Sequence, residues 1–140
     1  MIKKVQRYFL ELKNSDYKIY NLNLPKNVTI ELDHKKDSNI NKFFYKNIGL
    51  EHYWRDRLLW SDKEWFRYVS NKNLETWIMK ADGKFAGFYE QEYHPARNEV
   101  ELINMGILKE YRGKGLGSKL LQHSTQESFK TSIKRIWVHT

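Results

Sequence analysis

A chain of 140 residues with no cysteine is sized for one domain with a single core, and it excludes disulfide scaffolds and thiolate metal centres. No apolar run approaches the roughly 20 residues of a membrane span, and no apolar stretch follows the basic Met-Ile-Lys-Lys-Val-Gln-Arg start as a secretory signal would require, so a cytoplasmic location is expected. The formal charge of +8 favours an anionic partner, but the basic residues are scattered among acidic ones, which weakens a nucleic-acid reading.

Tyr8 to Leu12 and Val28 to Leu32 alternate as strands do, with a connection around Pro25 between them. From Asn39 to Gly49, Ile40, Phe43, Phe44 and Ile48 recur at helical spacing, and Gly49 is placed to stop the helix. The aromatics of Tyr53-Trp-Arg-Asp-Arg-Leu-Leu-Trp60 suit either core or groove lining. Ser61-Asp-Lys-Glu64 has the pattern of a capping box and predicts a helix from Asp62 to about Ser70. Two strand-like runs, Thr76 to Met79 and Phe85 to Tyr93, flank the hairpin signal Asp82-Gly83 and should pair antiparallel. Glu99 to Leu108 reads as a strand, about Gly115 to Lys130 as a helix, and Ile133 to His139 as a last strand. That ending implies a parallel pair joined by a crossover. The order β-β-α-α-β-β-β-α-β belongs to the α/β (α+β) class, with a mixed, mostly antiparallel sheet flanked by helices.

The most informative run is Tyr111-Arg-Gly-Lys-Gly-Leu-Gly-Ser-Lys-Leu-Leu121, a glycine-rich turn that opens directly into a helix-forming segment. The first N–H groups of a helix have no partners within it, and the aligned peptide dipoles add partial positive charge there, so such an end seats phosphate. Glycine at 113, 115 and 117 lets a ligand approach the backbone and permits positive φ. Arg112, Lys114 and Lys119 add positive charge expected to be mobile. The spacing fits neither a P-loop, which would need glycine at Ser118, nor the dinucleotide fingerprint, which would need it at Ser118 or Leu120.

Arg112-x-x-Gly115-x-Gly117 instead resembles the Arg/Gln-x-x-Gly-x-Gly/Ala motif of the GCN5-related N-acetyltransferase superfamily. Tyr53 to Trp65, Asp82-Gly-Lys-Phe-Ala-Gly87 and Arg135-Ile-Trp-Val-His-Thr140 are similar to segments of a bacterial subgroup of it. The resemblance implies the acyl-CoA N-acyltransferase fold in a single domain over residues 1–140, with its motif core at about 74–140. It is C-terminally incomplete, because in that subgroup a further helix and two strands follow Trp-Val-His-Thr. It also implies acetyl-CoA as cosubstrate and a small-molecule or peptide amine as acceptor, and it places the coenzyme on Met105, Gly106, Ile107, Arg112, Gly113, Lys114, Gly115, Leu116, Gly117 and Ser118. The pantetheine arm would pair with the strand near Met105, Gly106 and Ile107, where a backbone N–H would stabilise the developing oxyanion. Gly106 would ease a bulge or close approach there.

An alkylammonium with a pKa of about 10.4 must lose a proton before it can attack a thioester. Glu101, eleven positions ahead of Arg112, lies where some members of the superfamily place a catalytic glutamate, and is the candidate base or substrate-orienting residue. Regular alternation would put Glu99, Glu101, Ile103 and Met105 on one face of the strand. Glu90, Glu92, Glu99 and Glu101 together would suit a cationic acceptor. The five histidines have no metal-ligand spacing, so no metal is expected, and the helix serines lack a nucleophile-elbow sequence. Two alternatives stand beside the enzyme: a truncated, catalytically weak coenzyme A binder and a basic nucleic-acid-binding module. A last strand ending near Thr140 would leave a sheet edge that a homodimer could cover.

Overall fold

The computed structural model describes residues 9–19 and 21–139. In chain order the elements are β1 (Phe9–Lys13), β2 (Val28–Leu32), α1 (Ser38–His52), α2 (Asp62–Val69), β3 (Leu74–Ala81), β4 (Lys84–His94), β5 (Glu99–Ile107), α3 (Leu116–Ser128) and β6 (Arg135–His139), with short 3-10 turns at Asn14–Asp16 and Lys109–Tyr111. Tyr8 and Thr140, at the limits of the expected first strand and of the motif core, lie outside the described residues.

One six-stranded sheet runs in the order β1-β6-β5-β4-β3-β2. Every neighbouring pair is antiparallel except β5 and β6, the parallel pair joined through α3. The two early strands, adjacent in sequence, therefore stand at opposite edges. The edge of β6 that the sequence left open is filled by β1, from Phe9 opposite His139 to Lys13 opposite Arg135, so a homodimer is not needed to cover it.

Local signals explain most elements. Asp37 caps α1 by accepting from the Asn39 N–H at 3.0 Å, and Ser61 with Glu64 forms the reciprocal capping box of α2. Asp82 and Gly83 both have positive φ, 52° and 76°, as the two-residue turn between β3 and β4 demands. Gly49 does not stop α1: the helix runs on to His52 and closes on Tyr53 in the left-handed region. Its lack of a side chain instead makes room for Trp54, whose Cβ would stand 2.8 Å from a Cβ at position 49.

Helices cover both faces of the sheet. Phe44 and Ile48 of α1 are fully buried against Ile78 and Phe88 on one face. On the other, Leu116 and Leu120 of α3 pack on Met79, Tyr89, Val100, Leu102 and Ile107. Burying each large side chain contributes about 1.5–3 kcal/mol. The fold is thus a three-layer α+β arrangement, with β5 between the two helical layers at the centre.

Candidate active site

The glycine turn leads into α3 as expected, but its residues divide the work. Gly115 is the N-cap of α3 and contributes no side-chain cap, whereas α1 and α2 satisfy their first N–H groups with their own side chains. The N-terminus of α3 is therefore the one among the three α-helices whose opening donors are left for something else. Gly113 and Gly115 have φ of 79° and 76°, and a Cβ at either would meet nothing within 4 Å. Gly117 has neither a positive φ nor a packing reason to be glycine: the nearest atom to its notional Cβ is Ile107 Cγ1 at 3.8 Å, an ordinary contact. Glycine inside a helix costs about 1 kcal/mol relative to alanine, and no contact among the described residues accounts for it here.

Ser118 is exposed at the rim, whereas Leu116 is buried, so its side chain serves the core and only its backbone fronts the seat. Lys114 lies with Nζ 5.8 Å from the centroid of the Tyr111 ring. Arg112 is not a mobile charge. Its Nε donates to the Ile107 carbonyl at 3.0 Å and its Nη1 pairs with Glu51 at the end of α1, while Nη2 is buried with no protein partner. The hydrogen bond from Arg112 holds the exposed Glu51 carboxyl below its ordinary range.

The parallel pairing of β5 and β6 extends only from Glu99 opposite Arg135 to Glu101 opposite Trp137. Beyond it, among the described residues, β6 continues with β1 alone and β5 runs on to Ile107 with no strand on that side. Leu108 N–H donates to Ala86 O at 2.8 Å, so antiparallel alternation turns Gly106 toward Phe88 and the polar groups of Met105 and Ile107 toward the open edge. Of the three residues expected to meet pantetheine, two face the gap. Gly106 does not lie at a bulge. A Cβ there would stand 2.7 Å from Ile48 Cγ2, so its bareness is a packing requirement of α1.

The bulge lies elsewhere. Glu90 pairs with Asn104 and Gln91 with Leu102, which leaves Ile103 as the extra residue of β5. Its effect overturns the expected alternation. Glu99 and Glu101 share a face with Asn104 and Gly106 beneath α1 and α2, while Met105 turns to the α3 side with Tyr89.

Glu101 is half-buried on that face at the point where the strands part. Its Oε1 lies 3.0 Å from His94 Nε2, and the other ring nitrogen of His94, Nδ1, is 4.0 Å from Glu92 Oε2. Trp137 stacks beside the imidazole at 6.0 Å between centroids and 18° between planes. Glu92, His94 and Glu101 bring one donor atom each within 4.8 Å of the others, a cluster that only cross-strand pairing could create. They could hold a divalent cation only by giving up the hydrogen bond that already joins His94 to Glu101.

Two of the four acidic residues expected to greet a cationic acceptor are spoken for. Glu99 is paired with Arg135, which also reaches Glu11, and these carboxylates raise the arginine's pKa. Glu90 is fully buried and accepts from Arg57, Tyr68 at 2.9 Å, Asn41 at 2.7 Å and Asn104 at 3.2 Å. Rings of Tyr45, Trp60, Trp65 and Tyr68 surround the Arg57 guanidinium at 4.2–5.5 Å. Burial alone would lower the Arg57 pKa, but the Glu90 carboxylate and the Tyr68 hydroxyl together reverse this and the net direction is upward. Burial, reinforced by the same carboxylate, pushes the Tyr68 hydroxyl far up. Of the aromatics from Tyr53 to Trp60 only Trp60 joins this cage, with Tyr45 from α1 and Trp65 and Tyr68 from α2, and the caged cation reaches β5 beside the bulge through Glu90 and Asn104. No linear spacing among Asn41, Arg57, Tyr68, Glu90 and Asn104 announced this network.

Other discounted residues have structural partners. Ser124 and Ser128 donate to Gln91 Oε1 at 3.0 and 3.3 Å. His123 Nδ1 lies 2.7 Å from the Tyr89 hydroxyl, and burial holds the imidazole below its ordinary pKa. A depression of about 750 Å³ lined by Lys13, Arg97, Lys134 and Arg135 lies at the start of β6 and involves neither the glycine turn nor Glu101.

The arrangement recurs in known proteins. A GCN5-related N-acetyltransferase from Sphaerobacter thermophilus superposes with a TM-score of 0.75 at 10% identity, covering 96% of this chain and 42% of that one. An aminoglycoside acetyltransferase from an uncultured soil metagenomic sample, solved with sisomicin, gives a TM-score of 0.68 at 10% identity over 80% and 76% of the two chains. A ribosomal-protein-alanine N-acetyltransferase from Brucella melitensis biovar Abortus gives 0.57 at 17% identity over 79% and 78%. At these identities the likeness speaks to the fold alone. No curated protein shows significant sequence similarity. The sequence model of the acetyltransferase (GNAT) family, however, matches residues 37–140, so the chain belongs to the GNAT acetyltransferase family.

Proposed function

We propose that this chain transfers an acetyl group from acetyl-CoA to a primary amine by direct attack, in a single domain spanning residues 1–140 that works in the cytoplasm. The observation that carries the reading is the pairing of an uncapped α3 N-terminus with a bare β5 edge from Met105 to Ile107. The two together match the two ends of a phosphorylated pantetheine: an anionic pyrophosphate and an amide-bearing arm that can add to a strand. In this reading the N–H groups of Leu116, Gly117 and Ser118, with Gly113, Gly115 and Lys114 around them, seat the pyrophosphate. Met105 offers its N–H and carbonyl, and Ile107 its N–H, to the arm and the oxyanion, while Arg112 braces the turn through the Ile107 carbonyl. Glu101 serves as base or orienting residue at the mouth of the gap.

The acceptor is an amine on a small molecule or a peptide, classes that include those named for two structural relatives, an aminoglycoside and a ribosomal-protein alanine. Glu92 and Glu101 would attract its positive charge.

Thermal shift with acetyl-CoA, coenzyme A and a short oligonucleotide tests the reading. A ligand selective for the native state stabilises it by about 2.7 kcal/mol at a hundred times its Kd. Both coenzymes should raise the melting temperature and the oligonucleotide should not; no coenzyme effect at millimolar concentration would sink the proposal. Binding without turnover over a panel of amines would leave the weak coenzyme binder ahead.

A further inference from the structure

We infer that His94, through Nδ1, is the group that takes the proton from the acceptor amine, with Glu101 as the residue that orients and charges it. The inference rests on the acetyltransferase reading and refines its chemistry. The hydrogen bond of 3.0 Å from Nε2 to Glu101 Oε1 fixes the tautomer: with Nε2–H donated to a carboxylate, Nδ1 carries the lone pair. The imidazole is a third exposed, so Nδ1 can be reached from solvent while the ring is held in place.

Every group around it fits that role. Glu92, on the same strand, stands 4.0 Å from Nδ1 and would stabilise the imidazolium; Asn71 Nδ2, from the turn before β3, fixes that carboxylate at 3.1 Å. Glu101 reaches the ring from β5, and Trp137 stacks on it from β6, with His139 beyond at 5.1 Å from Trp137. The nearby cation Arg135 is neutralised by Glu99 and Glu11 and does not oppose protonation of the ring. Glu101 itself has one oxygen engaged by His94, which makes it a better partner to a base than a lone base.

In the step so assigned, an ammonium drawn between Glu92 and Glu101 gives one proton to Nδ1, from which it passes to solvent. The free amine attacks the thioester carbonyl, the N–C bond forms and the C–S bond breaks. The second nitrogen proton goes to the departing thiolate. One amide, one thiol and one proton leave for each ammonium and thioester consumed.

The test compares the full chain with His94→Gln, His94→Ala and Glu101→Gln. His94→Gln should lower kcat/KM for the amine about a hundredfold near neutral pH, the scale of general-base catalysis, and remove the imidazole limb of the pH profile while leaving the acetyl-CoA thermal shift intact. Added imidazole should restore rate to His94→Ala and not to Glu101→Gln. An unchanged rate and pH profile in His94→Gln, or no rescue of His94→Ala, would overturn the proposal. A second readout needs no turnover: nitrogen chemical shifts of the His94 ring should report protonated Nε2 and bare Nδ1 above its titration, and the opposite tautomer would refute the assignment. Loss of coenzyme binding by the unmodified chain would instead count against the acetyltransferase reading, so the two failures are separable.

Discussion

Replacing Gly106 by alanine probes whether this glycine answers to the helix or to the ligand. A Cβ built there lies 2.7 Å from Ile48 Cγ2 and 3.1 Å from Cδ1, against an ordinary carbon contact of about 3.5–4.0 Å, so the overlap is close to 1 Å. Ile48 is fully buried and cannot swing away, and overpacking of this kind costs about 1–3 kcal/mol. Ile48→Ala alone should cost about 2–5 kcal/mol by leaving a cavity. It removes both clashing carbons, however, and leaves only its Cβ, 3.6 Å from the new methyl group. In the double variant the methyl fills part of the cavity instead of colliding. Urea denaturation of the four proteins should therefore give a double-variant cost smaller than the sum of the singles by at least about 1 kcal/mol. Additivity within about 0.5 kcal/mol would refute the packing argument. Coenzyme affinity adds the functional half: the double variant should bind acetyl-CoA as the parent does, because Gly106 turns toward Phe88 and not toward the gap.

Two further outcomes follow from the buried polar groups. Glu90→Gln leaves the Arg57 charge unpaired within its ring of aromatics and should cost about 3–5 kcal/mol in denaturant unfolding, with much of the loss recovered when Arg57 is also made methionine. His123 is a base whose folded pKa lies below its unfolded value of about 6.5, so below that pH the unfolded chain binds the extra proton. Stability should fall as pH drops from about 6.5 toward the folded pKa, and His123→Gln should flatten that fall; an equally steep decline in the variant would contradict it.

Much of the fold was legible because its signals are local. The capping box at Ser61, the Asp82-Gly83 turn and the alternation of Thr76 to Tyr93 each specify their own geometry within a few residues. The glycine turn at Gly113 and Gly115 and the helix it opens were legible for the same reason, since they are one continuous segment. Illegible features depended on partners far along the chain. One extra residue at Ile103 reversed the face of everything after it in β5, and hydrophobic pattern cannot place a bulge in a strand buried on both sides. The reason for glycine at 106 is Ile48, which lies 58 positions earlier on α1, with α2, β3 and β4 between them in the chain. His94 was passed over as one of five unspaced histidines until a cross-strand pairing set it beside Glu101.

The seam between β1 and β6 also sets an order of events during synthesis. Glu11 must wait 124 positions for Arg135, and among the described residues no other strand pairs with β1. At the ordinary pace of about 5–20 residues per second, β1 leaves the ribosome roughly 6–25 s before its partner exists. Through that interval its backbone edge is unpaired, while β2 to β5 can already assemble from neighbours. Of the described strands β1 is thus made before its partner and paired late, and a nascent chain stalled before β6 would carry it as an unpaired, adhesive strand.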